Sequence, residues 1–247
     1  MCLILFAYQQ HPDYPLIVAA NRDEQYARAA TRMHRWQDHP QVVAGRDQVA
    51  GGTWLGMTDE GRFAAVTNFA NQHQSLSDPN SRGDLIRKFL STETSPDTYA
   101  KTINGQDYQG FNLLLYDGQK LVITSNRGDC VETLKPGIYG LSNAEFGCSW
   151  PKVVDGVECL DTLLKEEVHI DRLLQLLTDQ LVASDERLPE RGNSIELERS
   201  LGSRFIIGDT YGTRASTAVL ISQSGWQMSE QSYGPGGEAT FRVDFTT

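Results

Sequence analysis

The chain predicts an α+β fold, with two antiparallel sheets flanked by helix pairs in four layers, and three observations lead there. Its patterned segments come in blocks, strands then helices then strands, helices and strands again, unlike the strict alternation that builds a parallel sheet. The apolar runs are short and punctuated by Gly, Pro, Asp and Asn, the chemistry of tight turns. No composition break, proline-rich linker or repeat divides the 247 residues, of which 39% are hydrophobic, so a single domain over 1–247 with a substantial core is expected.

The first element is a hairpin. Leu3 to Tyr8 and Leu16 to Ala20 are apolar runs separated by Gln9-Gln10-His11-Pro12-Asp13, a turn-forming stretch. With the turn centred near His11 and Pro12, antiparallel pairing joins positions whose numbers sum to about 22 to 24. Cys2 then faces Ala20 to Arg22, beside the polar cluster Asn21-Arg22-Asp23-Glu24, which is expected to end the second strand. A second hairpin runs from Gly51-Gly52-Thr53-Trp54-Leu55-Gly56 through Thr58-Asp59-Glu60-Gly61 to Phe63–Phe69. Trp54 reads equally as a core residue or as a ligand wall beside a close backbone approach. Asn68 either caps the exit of its strand or donates to an oxyanion.

Asn71 to Asn80, rich in Ser, Gln, Asn and Asp, reads as a surface loop able to serve as a lid. Asp84 to Leu90 has helical spacing, and Ser95-Pro96-Asp97 starts a second helix. Strands are expected at Phe111 to Tyr116, Leu121 to Ser125, Cys130 to Leu134 and Ile138 to Leu141, with Asp117-Gly118 as a hairpin turn. Val153 to Leu164 and Ile170 to Leu181 recur as amphipathic helices. Strands resume at Phe205 to Gly208, Arg214 to Ser222, Trp226 to Ser232 and Thr240 to Phe245. Asn21, Arg22, Asn68, Asn143 and Arg214 all fall at expected strand ends, where side chains can converge.

Charge and composition narrow the function. Acidic residues outnumber basic ones 32 to 22, a net charge of −10, which argues against nucleic acid and against anionic membranes as partners. No segment reaches the ~20 apolar residues of a membrane span, and the run from Cys2 to Tyr8 lacks the basic flank of a signal peptide; a cytoplasmic location is expected. Cys2, Cys130, Cys148 and Cys159 form no Cys-x-x-Cys pair, and His11, His34, His39, His73 and His169 no metal or haem-attachment spacing. Neither metal nor cofactor is expected.

Cys2 differs from the other thiols. Removal of Met1 leaves a thiol and a free α-amine on one residue, and the amine, with an ordinary pKa of about 7.7 to 8.0, can accept the thiol proton. Arg22 nearby favours the thiolate, and Asp23 can orient the ammonium. The competing reading is a small residue opening a buried strand, with Arg22 and Asp23 as an ordinary ion pair.

Taken together, Cys2, Asn21-Arg22-Asp23-Glu24, Gly51-Gly52-Thr53-Trp54-Leu55-Gly56, Thr67-Asn68, Leu141-Ser142-Asn143 and Tyr211-Gly212-Thr213-Arg214 resemble the NRDE family, the transport and Golgi organisation protein 2 family, over nearly the whole chain. The resemblance implies a branch of the N-terminal-nucleophile hydrolases, with a four-layer αββα fold and motifs similar to those of penicillin V acylases and bile-salt hydrolases, which cleave non-peptide amide bonds. By motif position it implies Cys2 as nucleophile, Arg22 and Asp23 as the activating pair, Asn68 and Asn143 as donors near the oxyanion, and Arg214, chosen over Arg204, as the late arginine; Asn21 and Trp54 are placed with the substrate. In those relatives a spacer separates arginine from aspartate. Arg22 and Asp23 are adjacent and point to opposite faces of a strand unless the chain leaves the sheet there. The activity implied is hydrolysis of a small acylated amine through a thioester. The alternative is a non-catalytic binding or trafficking protein for a hydrophobic metabolite such as haem or an acyl-lipid.

Overall fold

The computed structural model describes residues 2–69, 79–128 and 130–247. In chain order the elements are β1 (Cys2–Tyr8), β2 (Leu16–Gln25), β3 (Ala30–Arg35), β4 (Val42–Asp47), β5 (Leu55–Thr58), β6 (Phe63–Asn68), α1 (Arg82–Leu90), α2 (Pro96–Thr102), β7 (Phe111–Tyr116), β8 (Leu121–Ser125), β9 (Cys130–Thr133), β10 (Gly137–Leu141), α3 (Pro151–Leu163), α4 (Ile170–Leu176), α5 (Ile195–Leu201), β11 (Tyr211–Ile221), β12 (Trp226–Tyr233) and β13 (Ala239–Thr246). They pack as two compact units. The first takes Met1–Ala27, Pro136–Ser142 and Phe146–Thr246, and the second takes Arg28–Lys135 and Asn143–Glu145 with Thr247.

The first unit holds a six-stranded antiparallel sheet in the order β10-β1-β2-β11-β12-β13. β1 is buried along its whole length, so both of its faces are apolar. On one face Leu3, Leu5 and Ala7 join Ile17, Ala19, Ala218 and Leu220 in a core with Val153 and Leu160 of α3 and Leu173 and Leu174 of α4. Two glycines let α3 lie close on this sheet. A methyl group at Gly156 would stand 2.9 Å from Leu5, and one at Gly140 in β10 would stand 2.6 Å from Val153.

The second unit holds a seven-stranded antiparallel sheet in sequence order from β3 to β9. Its core gathers Ala44, Ala64, Val66, Leu113 and Val122 from the strands with Leu85, Ile86, Phe89, Tyr99 and Ala100 from α1 and α2. Gly52 marks the close approach expected of its motif: a methyl group there would fall 2.4 Å from the backbone of Gly83, just inside α1.

The α+β class and the two antiparallel sheets with flanking helices agree with the sequence expectation. Cys2 pairs with Arg22 and Tyr8 with Leu16, a register at the upper end of the range expected for the first hairpin. Three expectations are corrected. β2 does not stop at Asn21 but runs through the polar cluster to Gln25, because β11 pairs with it as far as Tyr211 opposite Gln25. Residues 205–208 are not a strand, and their backbone is held by Ile206 exchanging hydrogen bonds with Thr213. α4 ends at Leu176 rather than Leu181. β3, β4 and α5 are additional elements whose apolar patterning is weak: β3 reads Ala-Thr-Arg-Met-His-Arg with only Met33 buried. Most of the loop from Asn71 to Asn80 lies outside the described residues.

Candidate active site

The β1–β2 register decides what surrounds Cys2. Residues directly opposite in an antiparallel ladder share a face, so Cys2 and its partner Arg22 lie on the same side of the sheet. Glu24, two residues on, is on that side too, and its carboxylate lies 3.7 Å from the Arg22 guanidinium. The backbone N–H of Asp23 donates to the Cys2 sulfur. Cys2 is 8% exposed, and burial pushes its thiol up; the Asp23 carboxylate adds to that rise and Arg22 opposes it. The carbonyl of Cys2 accepts a 2.8 Å hydrogen bond from the buried hydroxyl of Ser142 at the end of β10, which fixes the start of β1.

The opposite face of β2, covered by helices, carries Asn21 and Asp23, since side chains alternate along a strand. The chain does not leave the sheet, so the Asp23 carboxylate and the Cys2–Arg22 pair are on different sides. Asn21 is wholly buried. It donates to the carbonyls of Leu177 at 2.9 Å and Arg204 at 2.7 Å, and accepts from Ser216 Oγ at 2.6 Å. Asp23 Oδ1 accepts from Thr213 Oγ1 at 2.7 Å. Thr213 in turn takes the Ile206 N–H at 2.9 Å. Burial pushes the Asp23 carboxyl up, and the largest opposing influence is the ammonium of Lys152.

The Tyr211-Gly212-Thr213-Arg214 block is thereby explained residue by residue. Tyr211 donates its hydroxyl to the Asp23 carbonyl at 3.3 Å. Gly212 allows a close approach that a side chain would block: a methyl group there would stand 2.5 Å from Tyr26 Oη and 2.7 Å from the Ile206 carbonyl. Arg214 is the extra residue of a β-bulge, since Thr213 pairs with Asp23 and Ala215 with Arg22. It is half-buried and donates to the Gln25 carbonyl at 3.3 Å. Arg204, the alternative late arginine, is ion-paired with Asp179.

Asn68, Asn143 and Trp54 belong to the second unit. Asn143 is buried and donates to the Asn68 carbonyl at 2.6 Å. Asn112 beside them spans Thr67 Oγ1 at 3.3 Å and the Ala144 carbonyl at 2.9 Å. Trp54 packs, half-buried, against the core of this unit.

Sequence reasoning missed Ser142, Thr213 and Lys152. The first two stand inside recognised motifs, yet the role in the late block fell on the arginine. Lys152 had its own signal. It sits in the first turn of α3, directly after Trp150-Pro151, and a cation at a helix N-terminus opposes the macrodipole. Among the described residues no group of three or more His, Cys, Asp or Glu could hold a metal ion, and no helix is long and apolar enough to cross a membrane.

The start of the first hairpin thus carries a cysteine opposite an arginine, braced behind by a buried polar network. Comparison with known proteins shows a likeness of fold. The chain superimposes on the Caenorhabditis elegans N-acylethanolamine-hydrolyzing acid amidase ortholog with a TM-score of 0.55 at 12% identity, covering 89% of this chain and 92% of that one. By sequence it is 32% identical to the human transport and Golgi organization protein 2 homolog, over 91% of this chain and 90% of the relative, and 30% identical to the mouse homolog over the same shares. The Drosophila melanogaster transport and Golgi organization protein 2 is 24% identical. The family model described as Transport and Golgi organisation 2 matches residues 1–234, and the chain belongs to that family.

Proposed function

We propose that the chain is an N-terminal cysteine amidohydrolase that cleaves a small acylated amine through a thioester. The observation that carries this reading is the Cys2–Arg22 pair, a buried thiol opposite a guanidinium with a backbone N–H on its sulfur. Both groups favour the thiolate over the thiol. Met1 lies outside the described residues; its removal frees the α-amine of Cys2, which takes the thiol proton.

The thiolate attacks the amide carbonyl carbon and the carbonyl electrons move onto oxygen. When the oxyanion collapses the C–N bond breaks, the amine leaves with the proton held by the α-ammonium, and a thioester remains on Cys2. Water, deprotonated by the same α-amine, attacks the thioester, releasing the carboxylic acid and restoring the thiol. The resemblance in motifs gives Asn68 and Asn143 the part of oxyanion donors and Arg214 and Trp54 a part in the substrate pocket. Asn21, whose amide is committed to Leu177, Arg204 and Ser216, serves by fixing the strand that presents Arg22.

The fold neighbour is named for hydrolysing N-acylethanolamines, so these head a panel of acylated amines to be tried. The purified protein is expected to lack Met1 by intact mass, to release amine from a member of the panel, and to carry an acyl adduct on Cys2 when quenched during turnover. Cys2→Ala reduces release to background. Undiminished release by that variant overturns the proposal.

A further inference from the structure

β13 is the outermost strand of its sheet, paired with β12 alone among the described strands. It is long for an edge, at eight residues, and most of it is exposed, Phe241 by 46%. An edge strand offers backbone N–H and C=O groups to any strand that can lie beside it, and proteins ordinarily blunt such edges with lysines, prolines or bulges. β13 contains no lysine or proline. Its one irregularity comes at the start, where the register shifts between Ser232 and Tyr233 of β12, and from Phe241 to Thr246 the pairing runs without interruption.

The sequence of the strand says what fits beside it. Thr240-Phe241-Arg242-Val243-Asp244-Phe245-Thr246 reads the same from either end, except that arginine answers aspartate across the central Val243. An antiparallel neighbour runs in the opposite direction. A second copy laid along the first with Val243 on Val243 therefore sets Thr240 opposite Thr246, Phe241 opposite Phe245 and Arg242 opposite Asp244. Each pair matches like residues or opposite charges. Sliding the copy by two residues, the smallest step that keeps the faces matched, puts Arg242 on Arg242 or Asp244 on Asp244, and like charges directly opposite are destabilising. The charges thus select one register.

Side chains alternate along the strand, so the two phenylalanines share one face with Val243 and the charges lie on the other. Arg242 Nη1 donates to Asp171 of α4 at 2.5 Å and Nε to Asp244 at 2.9 Å. These bonds hold the two charged groups in place yet leave them 38% and 58% exposed, so a neighbouring strand meets them already ordered. We propose that two copies of this chain join edge to edge through β13, antiparallel about a two-fold axis at Val243, so that one six-stranded sheet continues into the other. The symmetry uses both β13 edges at once, and the contact closes on a dimer rather than growing into a filament. β13 lies beyond residues 1–234 matched by the family model, so the interface is not one that the family match implies. β2, β11 and β12 separate it from the strand that carries Cys2, and it does not depend on the proposed reaction.

Sedimentation velocity of the full-length chain, over a concentration series up to about 100 μM, tests this. The wild type is expected to pass from monomer to twice the monomer mass and to stop there. Arg242→Asp sets aspartate opposite aspartate at both places, and Asp244→Arg sets arginine opposite arginine. Each is expected to weaken the dimer by at least about tenfold, with folding checked by circular dichroism. Mixed in equal amounts, the two variants become complementary and recover the dimer, as does the double variant that exchanges the two charges within one chain. A wild type that stays monomeric, a dimer that survives in both single variants, a mixture that stays monomeric, or growth beyond the dimer overturns the proposal. If Arg242→Asp fails to fold for want of its bond to Asp171, the wild-type series and Asp244→Arg still decide it, since a dimer undiminished in Asp244→Arg overturns the register and with it the interface.

Discussion

At residues 21–25 the two faces of β2 receive equally polar side chains and treat them differently. On one face Arg22 meets Glu24 at 3.7 Å and stands opposite Cys2. On the other, Asn21 and Asp23 are buried in a network that spends hydroxyls of Thr213 and Ser216 and two backbone carbonyls. A 3.7 Å pair with a partly exposed partner contributes at most about 1 kcal/mol, whereas each buried polar group stripped of its partner costs about 1 to 3 kcal/mol. The helix-covered face thus holds the strand end in place, and the other is left free to tune a thiol. Changes on the two faces should separate accordingly, stability from reactivity.

The largest expected effect is at Asn21. Asn21→Ala removes two donors and an acceptor at once, leaving the Leu177 and Arg204 carbonyls and the Ser216 hydroxyl to find new partners in a dry interior. A loss of about 3 kcal/mol in unfolding free energy is expected from urea denaturation. A loss below about 1 kcal/mol would show that water enters this face and would erase the contrast.

Thr213→Val should follow at about 1 to 3 kcal/mol. It keeps the shape but removes the donor to Asp23 and the acceptor of the Ile206 N–H. This loss carries a pH signature. Asp23 is raised above its ordinary value of 3.8, so the folded state loses stability as pH rises through the window between 3.8 and the raised value. The Thr213 hydroxyl lowers that raised value. Without it the window extends upward, so the deficit of the variant grows with rising pH and narrows in acid, where Asp23 is protonated in both proteins. A deficit independent of pH would mean that the carboxylate does not sense Thr213.

How much of this was legible in the chain depends on how far apart the partners lie. The first hairpin was, because strong apolar runs flank an unmistakable turn, and its register carried Cys2 to Arg22 without other information. The continuation of β2 through Asn21-Arg22-Asp23-Glu24 was not, because what makes those polar residues tolerable in a buried strand comes from far along the chain. Asn21 is satisfied by Leu177, Arg204 and Ser216, between 156 and 195 residues away. Thr213 and Asp23 meet across 190. Lys152 could be placed on a helix from its surroundings, but its bond to the Leu201 carbonyl, 49 residues on, could not be read there. β3 and β4 escaped for a simpler reason: only Met33 of the six residues of β3 is buried, so little apolar periodicity is written there.

The smallest change in stability and the clearest change in chemistry are expected from Arg22→Gln. The side chain is of similar length, its ion pair with Glu24 is long, and the unfolding free energy should move by less than about 1 kcal/mol. Arg22 lowers the Cys2 thiol against the rise imposed by burial and by Asp23. Its removal should raise the pH midpoint of Cys2 alkylation and slow the reaction at neutral pH, with Asn21 and Thr213 unaffected on the other side of the strand. If Arg22→Gln instead unfolds the protein as Asn21→Ala is expected to, the pair is a structural strut, and the division of labour between the two faces of β2 fails.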